Sequence, residues 1–148
     1  MKTILSVYHI GDKGKTETLR ELGNILLLTY PSFKPIFPTV ASVPATGDFR
    51  LVIEVNGKIT GVESQGDPNT NLHNRLLDLA DNFKCEIIIC SSRTRGDTVL
   101  AVDNLYHTRN FQTIWTSTYQ FGDDTKHKLV NQLKAKHILD LIQSLGLI

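Results

Sequence analysis

Short runs of β-branched and apolar residues alternate along this chain with longer runs whose apolar positions recur every three or four residues. That alternation restricts the fold more than any other feature, because it is the pattern of a layered α/β domain. The opening run "TILSVYHI" is too short for a typical helix, whereas "KTETLRELGNILLL" sets Leu19, Leu22, Leu26 and Leu27 near helical spacing. Four of the five prolines fall in "YPSFKPIFPTVASVPATG", which predicts an irregular crossing or lid over residues 30–47. A connection of that length is uncommon and often functional. In "FRLVIEVNGKITGVES" two β-rich runs meet at Asn56-Gly57, the dipeptide that most readily takes the positive φ angles of a two-residue hairpin turn. The spacing of Leu72, Leu76, Leu77, Leu79, Ala80 and Phe83 predicts a helix, and "CEIIICSS" a strand buried on both faces. A helix over 98–108, a strand in "FQTIWTSTY" and a last helix from about Asp123 or Asp124 complete the chain.

Short connections and right-handed crossovers turn this order into a three-layer α/β/α sandwich. Its sheet is expected to be five-stranded and mainly parallel, with one antiparallel strand. At 148 residues the chain fits a single domain over 1–148, long enough to bury about 70% of its unfolded surface. The charged fraction of 21% and net charge of +1 lack the basic excess of an electrostatic nucleic-acid binder. No stretch approaches the roughly 20 apolar residues of a membrane span, and the first residues lack a signal-peptide layout, so a cytoplasmic location is expected. Cys85 and Cys90 form no CxxC pair and are expected to be reduced core thiols. The five histidines show no paired metal-ligand spacing, and Trp115 and Tyr119 are expected to pack in the core and at a strand end.

In open α/β sheets ligands bind beyond the carboxyl ends of the strands, and the junction of the first strand and helix carries "HIGDKGKT". A phosphate-binding loop of the form GxxxxGK[ST] matches at Gly14, Lys15 and Thr16, with His9 where the first glycine belongs. Backbone amides from Gly11 through Asp12, Lys13, Gly14 and Lys15 to Thr16 could curl around an anion at a helix N-terminus, with Glu17 following. Lys15 would add a full charge against the β and γ phosphates, and the Thr16 hydroxyl could hold Mg²⁺.

With "ESQG" at the tip of the second hairpin strand, the chain resembles the P-loop NTPases, most closely in layout the small Ras-like GTPases. The resemblance implies that Glu63 acts on Mg²⁺ through water and that the Gly66 amide meets the γ phosphate, on a strand lying beside the opening one. It makes residues 30–47 a switch segment, with Thr39 or Thr46 supplying a hydroxyl. Glu63 stands where that family has aspartate, and the guanine motif Asn-Lys-x-Asp is absent from "YQFGDD". The implied ligand is Mg²⁺ with ATP or GTP, and the implied activity a slow Mg-dependent NTPase.

Arg93 and Arg95, in "SSRTRGDT", fall at the same sheet edge, where Arg95 could stabilise phosphoryl charge and Gln65 could orient a water. Asp97 and Asp67 are expected to cap the helices that follow them. Two other functions fit the same scaffold. One is a small-molecule kinase with residues 30–47 as lid. The other is a non-catalytic protein-interaction module whose nucleotide loop has degenerated, with a protein partner in place of nucleotide.

Overall fold

The computed structural model describes residues 1–11 and 14–148, and carries the opening apolar run as strand β1 (Thr3–Tyr8) and the leucine-spaced run as helix α1 (Lys15–Thr29). A short strand, β2 (Lys34–Phe37), follows and pairs antiparallel with β3 (Arg50–Val55). β3 and β4 (Lys58–Glu63) form the expected hairpin, in which Val55 faces Lys58 across Asn56 and Gly57, with φ of 51° and 78°. Helix α2 (Leu72–Leu77) widens into a π-helical turn over Asp78–Asn82. Strand β5 (Ile87–Ser92), helix α3 (Asp97–Arg109), strand β6 (Gln112–Ser117) and helix α4 (His127–Ser144) complete the order.

The sheet order is β2-β3-β4-β5-β1-β6, and β3 alone runs against the other strands. Six strands among the described residues therefore replace the expected five. The additional one, β2, lies inside the proline-rich segment and contains Pro35. Proline is tolerated there because β2 is an edge strand, where one row of amides has no neighbour to serve.

A second difference concerns neighbours. β4 was expected beside β1, but β5 lies between them and pairs parallel with both. All six β5 residues are buried, and a strand apolar on both faces is most stable in the middle of a sheet covered on both sides. Strand alternation then divides the core. Leu5, Val7, Ile87, Ile89 and Val62 pack with Leu19, Leu22 and Leu26 of α1 and with Ala135, Ile138 and Ile142 of α4. Ile4, Ile88 and Cys90 face the opposite way, onto Leu72 and Leu76 of α2 and Ala101, Val102 and Leu105 of α3. Helices thus cover both faces of a mixed sheet, and the carboxyl ends of β4, β5 and β1 open at one end of it.

Two expected caps are corrected. Asp97 is the first residue of α3, after Gly96, and Asp67 lies four positions before Asn71, the residue that precedes α2. Asp123 does cap, accepting a hydrogen bond from the Thr125 amide at 2.9 Å at the start of the turn before α4. Trp115 is 39% exposed, so it is not a core residue. It stands edge-on to Tyr8 at a centroid distance of 6.1 Å.

Candidate functional site

Lys15, the first residue of α1, gathers three elements. Its side chain is buried, and its Nζ donates to the carbonyls of His9 and Ser92, each at 3.2 Å. These carbonyls lie at the ends of β1 and β5, so one ammonium straps the two parallel strands together. Asp67, in the loop after β4, approaches the same Nζ at 3.6 Å. A buried ammonium is tolerable only when oxygens surround it. The residue before it, Gly14, has φ 77° and ψ 14°, the left-handed conformation that glycine adopts without strain, and it has no side chain with which to cap the helix.

The second ring of contacts is also polar. Asp67 accepts from Arg93 Nε at 3.0 Å, and the Arg93 guanidinium lies so close to Gly11 that a Cβ there would sit 2.8 Å from Nη2. Arg93 is therefore beside this segment, and Arg95 is exposed. On the α4 side, Thr18 Oγ1 donates to Asn131 Oδ1 at 3.4 Å, which ties α4 to the first turn of α1.

The residue beside Thr16 was not foreseen. Thr16 Oγ1 donates to Asp48 Oδ1 at 3.2 Å, and Ser64 Oγ donates to the same oxygen at 3.1 Å. Ser64 Oγ in turn accepts from the Phe49 amide at 2.7 Å, while Ser91 Oγ donates to the Ser64 carbonyl at 2.7 Å. Asp48 follows the proline-rich segment, whose end is held by Arg20 of α1: the guanidinium donates to the carbonyls of Pro44 and Gly47. The one sequence signal for Asp48 is an acid immediately before the hairpin, and no fixed spacing connects it to Lys15-Thr16.

Glu63 takes a different place from the expected one. It is 1% exposed, and its two oxygens accept from Arg50 Nε at 3.0 Å and Arg75 Nη1 at 2.9 Å. Alternation explains this: Val62 and Ser64 point toward α1, so Glu63 between them points toward α2. Burial works against the charge of Arg50, but Glu63 and Asp78 more than offset it and hold the guanidinium above its ordinary pKa. Gly66 is buried against the Ser91 main chain, and Gln65 beside it is half-buried. Glu17 pairs with Arg20 at 3.2 Å, while Thr39 and Thr46 are exposed. Asp12 and Lys13 lie outside the described residues. Burial pushes both free thiols, Cys85 and Cys90, up to about 12, so neither is a thiolate near neutral pH.

A cleft of about 490 Å³ adjoins Asp67, lined among others by Asn69, Asn71, His73, Asp97 and Asn104. A small cavity of about 70 Å³ flanks Gly14 on the other side, beneath Tyr119 and Phe121. Among the described residues no helix is long and apolar enough to cross a membrane, and no three His, Cys, Asp or Glu side chains gather as a metal group. No protein-family model, curated protein or solved structure matches the chain.

Proposed function

We propose that this chain is a P-loop-like protein that binds a nucleoside triphosphate with Mg²⁺, ATP or GTP, over residues 11–16, and hydrolyses it slowly. The observation that carries the reading is Lys15: a buried ammonium held by the carbonyls of His9 and Ser92, at the carboxyl ends of two parallel strands and the start of a helix. Such a group concentrates positive charge where helix amides also point, which suits a phosphate. Arg93 beside Gly11 adds a second cation. The Thr16 hydroxyl is a hard oxygen of the kind Mg²⁺ takes together with phosphate oxygens. Gln65, just after the carboxyl end of β4, is a candidate for orienting water, and an amide positions a water without taking its proton, which fits slow turnover or dependence on a protein partner.

Asp67 stands 3.6 Å from the Lys15 ammonium, where its carboxylate would compete with a phosphate for the same charge, and this favours one rival reading: an interaction module in which the carboxylate has taken the anion's place permanently. Melting curves separate the two. Ligand at about 100 times its Kd adds about 2.7 kcal/mol, so Mg-ATP or Mg-GTP is expected to raise the melting temperature by roughly 5–10 °C, and Lys15→Ala to lose most of that rise. No shift with either nucleotide at millimolar concentration would establish the module instead.

Asp67→Asn tests the competition directly. An ion pair with one partner 56% exposed is worth about 0.2–1 kcal/mol. Removing it is expected to tighten nucleotide binding roughly 1.5- to 5-fold, read by titration calorimetry. Weaker binding would mean that Asp67 helps the ligand rather than excluding it.

A further inference from the structure

We infer that the protein forms a symmetric dimer in which β6 pairs antiparallel with β6 of a second copy, so that the sheet runs on from one protomer into the next. This does not depend on the nucleotide reading. Three observations converge on the partner.

The first is an open row of main-chain groups. β6 ends the sheet order, with β1 as its neighbour. The Gln112 amide donates to the Lys2 carbonyl at 2.8 Å, and Gln112 lies opposite Thr3 in the β1 register. Successive residues of a strand turn their amides and carbonyls to opposite edges. Gln112, Ile114 and Thr116 therefore serve β1, while Thr113, Trp115 and Ser117 present theirs to the open edge. A row of this kind is a template for another strand.

The second is a difference between the two edges. β2, at the far edge, is four residues long, carries an exposed Lys34 and Pro35, and breaks register between Pro35 and Phe37. These are the devices that keep an edge from pairing. β6 keeps an unbroken register with β1 over six residues, and from Asn110 to Gly122 the sequence has no charged residue and no proline. One edge is guarded and the other is left able to pair.

The third is self-complementarity, which selects a second copy as the occupant. A twofold axis through Trp115 sets that residue opposite itself and Thr113 opposite Ser117, so outward groups meet outward groups and each pair exchanges both N–H···O bonds. Ile114 then lies opposite Thr116, and no like charges are brought together. The indole of Trp115, 39% exposed beside a cleft of about 250 Å³ that Tyr8 and Val99 also line, meets its own copy. On the other face, Lys134 of α4 donates to Thr116 Oγ1 at 2.6 Å, and His137 stands edge-on to Tyr119 at a centroid distance of 5.6 Å. That flank of α4 therefore lies along β6. Leu141 and Leu145, 37% and 54% exposed, continue the His137 stripe at helical spacing, and the same axis turns the stripe toward its copy. Strand, indole and leucine flank all find a complement under one operation, and such a contact closes at two copies.

The experiment is sedimentation velocity on wild type, Ser117→Pro and Trp115→Glu, with amide hydrogen exchange on wild type. Wild type is expected to sediment at twice the 16.6 kDa of the chain and to shift to that single mass on dilution. Ser117→Pro removes an outward N–H and leaves the β1 ladder intact, as proline can on an edge strand. Trp115→Glu sets like charges opposite each other at the axis. Both are expected to stay at the monomer mass where wild type is dimeric, with unchanged circular dichroism. Should the proline variant fail to fold, Trp115→Glu and the exchange pattern carry the test. Exchange reads the alternation: the Ile114 and Thr116 amides are expected to be protected at every concentration, whereas those of Thr113, Trp115 and Ser117 slow about ten-fold or more only as the dimer forms. Wild type that keeps the monomer mass at every concentration overturns the inference, even if its edge captures a strand of another protein. A dimer that either folded variant retains, or one that leaves the Thr113, Trp115 and Ser117 amides unprotected, overturns it as well.

Discussion

Glu63→Gln protein is expected to melt roughly 6–12 °C below wild type, with or without nucleotide. The side chain is buried between Arg50 and Arg75, each within 3.0 Å, so glutamine can accept from one guanidinium while its amide group faces the other. Removing one partner of a buried ion pair costs about 3–5 kcal/mol, because the remaining charge stays buried without its partner. The low end, about 3 kcal/mol, applies here for two reasons: Arg50 also pairs with Asp78, and the side chain of Arg75 is 37% exposed. At 2–4 °C per kcal/mol for a domain of about this size, the stated fall follows. Differential scanning calorimetry without ligand is the measurement. A change under about 2 °C would mean that the arginines do not depend on Glu63, and its carboxylate would again be available to a metal.

How far the sequence anticipated this molecule depends on which physical signal carried each feature. Periodicity and turn chemistry are local, and they found β1, α1, the Asn56-Gly57 hairpin, the all-buried β5 and the limits of α3 to within one residue. Strand order is not local. Residues 87–92 form the strand buried on both faces, and that property draws them to the centre of the sheet, between β4 and β1. Nothing in the succession of strands along the chain specifies it. β2 was hidden because "KPIF" carries a proline and is mostly exposed, as only an edge strand allows.

The site divides in the same way. Lys15 and Thr16 stand out because helix start, glycine and lysine are adjacent in sequence. Asp48 comes near them only through tertiary contacts, the capture of the Pro44 and Gly47 carbonyls by Arg20 and the brace from Ser64. Glu63 was expected at the phosphate end, and one step of strand alternation instead turns it toward Arg50 and Arg75, a direction that sequence predicts only when the covering helix is known. Asp67 was expected at a helix cap, and instead bridges Lys15 and Arg93, a role set by the path of the loop after β4.

Gly66→Ala is expected to cost about 3 kcal/mol or more, by a mechanism that needs no ligand. A Cβ at this position would sit 1.9 Å from the Ser91 carbonyl oxygen and 2.3 Å from its carbon, distances that no rotamer change relieves because both atoms are main chain of β5. Either the loop after β4 or the end of β5 must shift. The displaced loop carries Ser64, whose carbonyl accepts from Ser91 Oγ at 2.7 Å, on one side and Asp67, 3.6 Å from Lys15, on the other. Melting is therefore expected to fall by roughly 6–12 °C, and Ser91→Gly in the same protein is expected to restore little, since it removes the side-chain oxygen and leaves the main chain in place. This accounts for glycine at 66 by close packing alone, so its presence is weak support for an amide that meets a γ phosphate. If Gly66→Ala melted within about 1 °C of wild type, the loop would have slack to spare, and the position of Asp67 over Lys15 would have to be explained by its ion pairs rather than by the packing of Gly66.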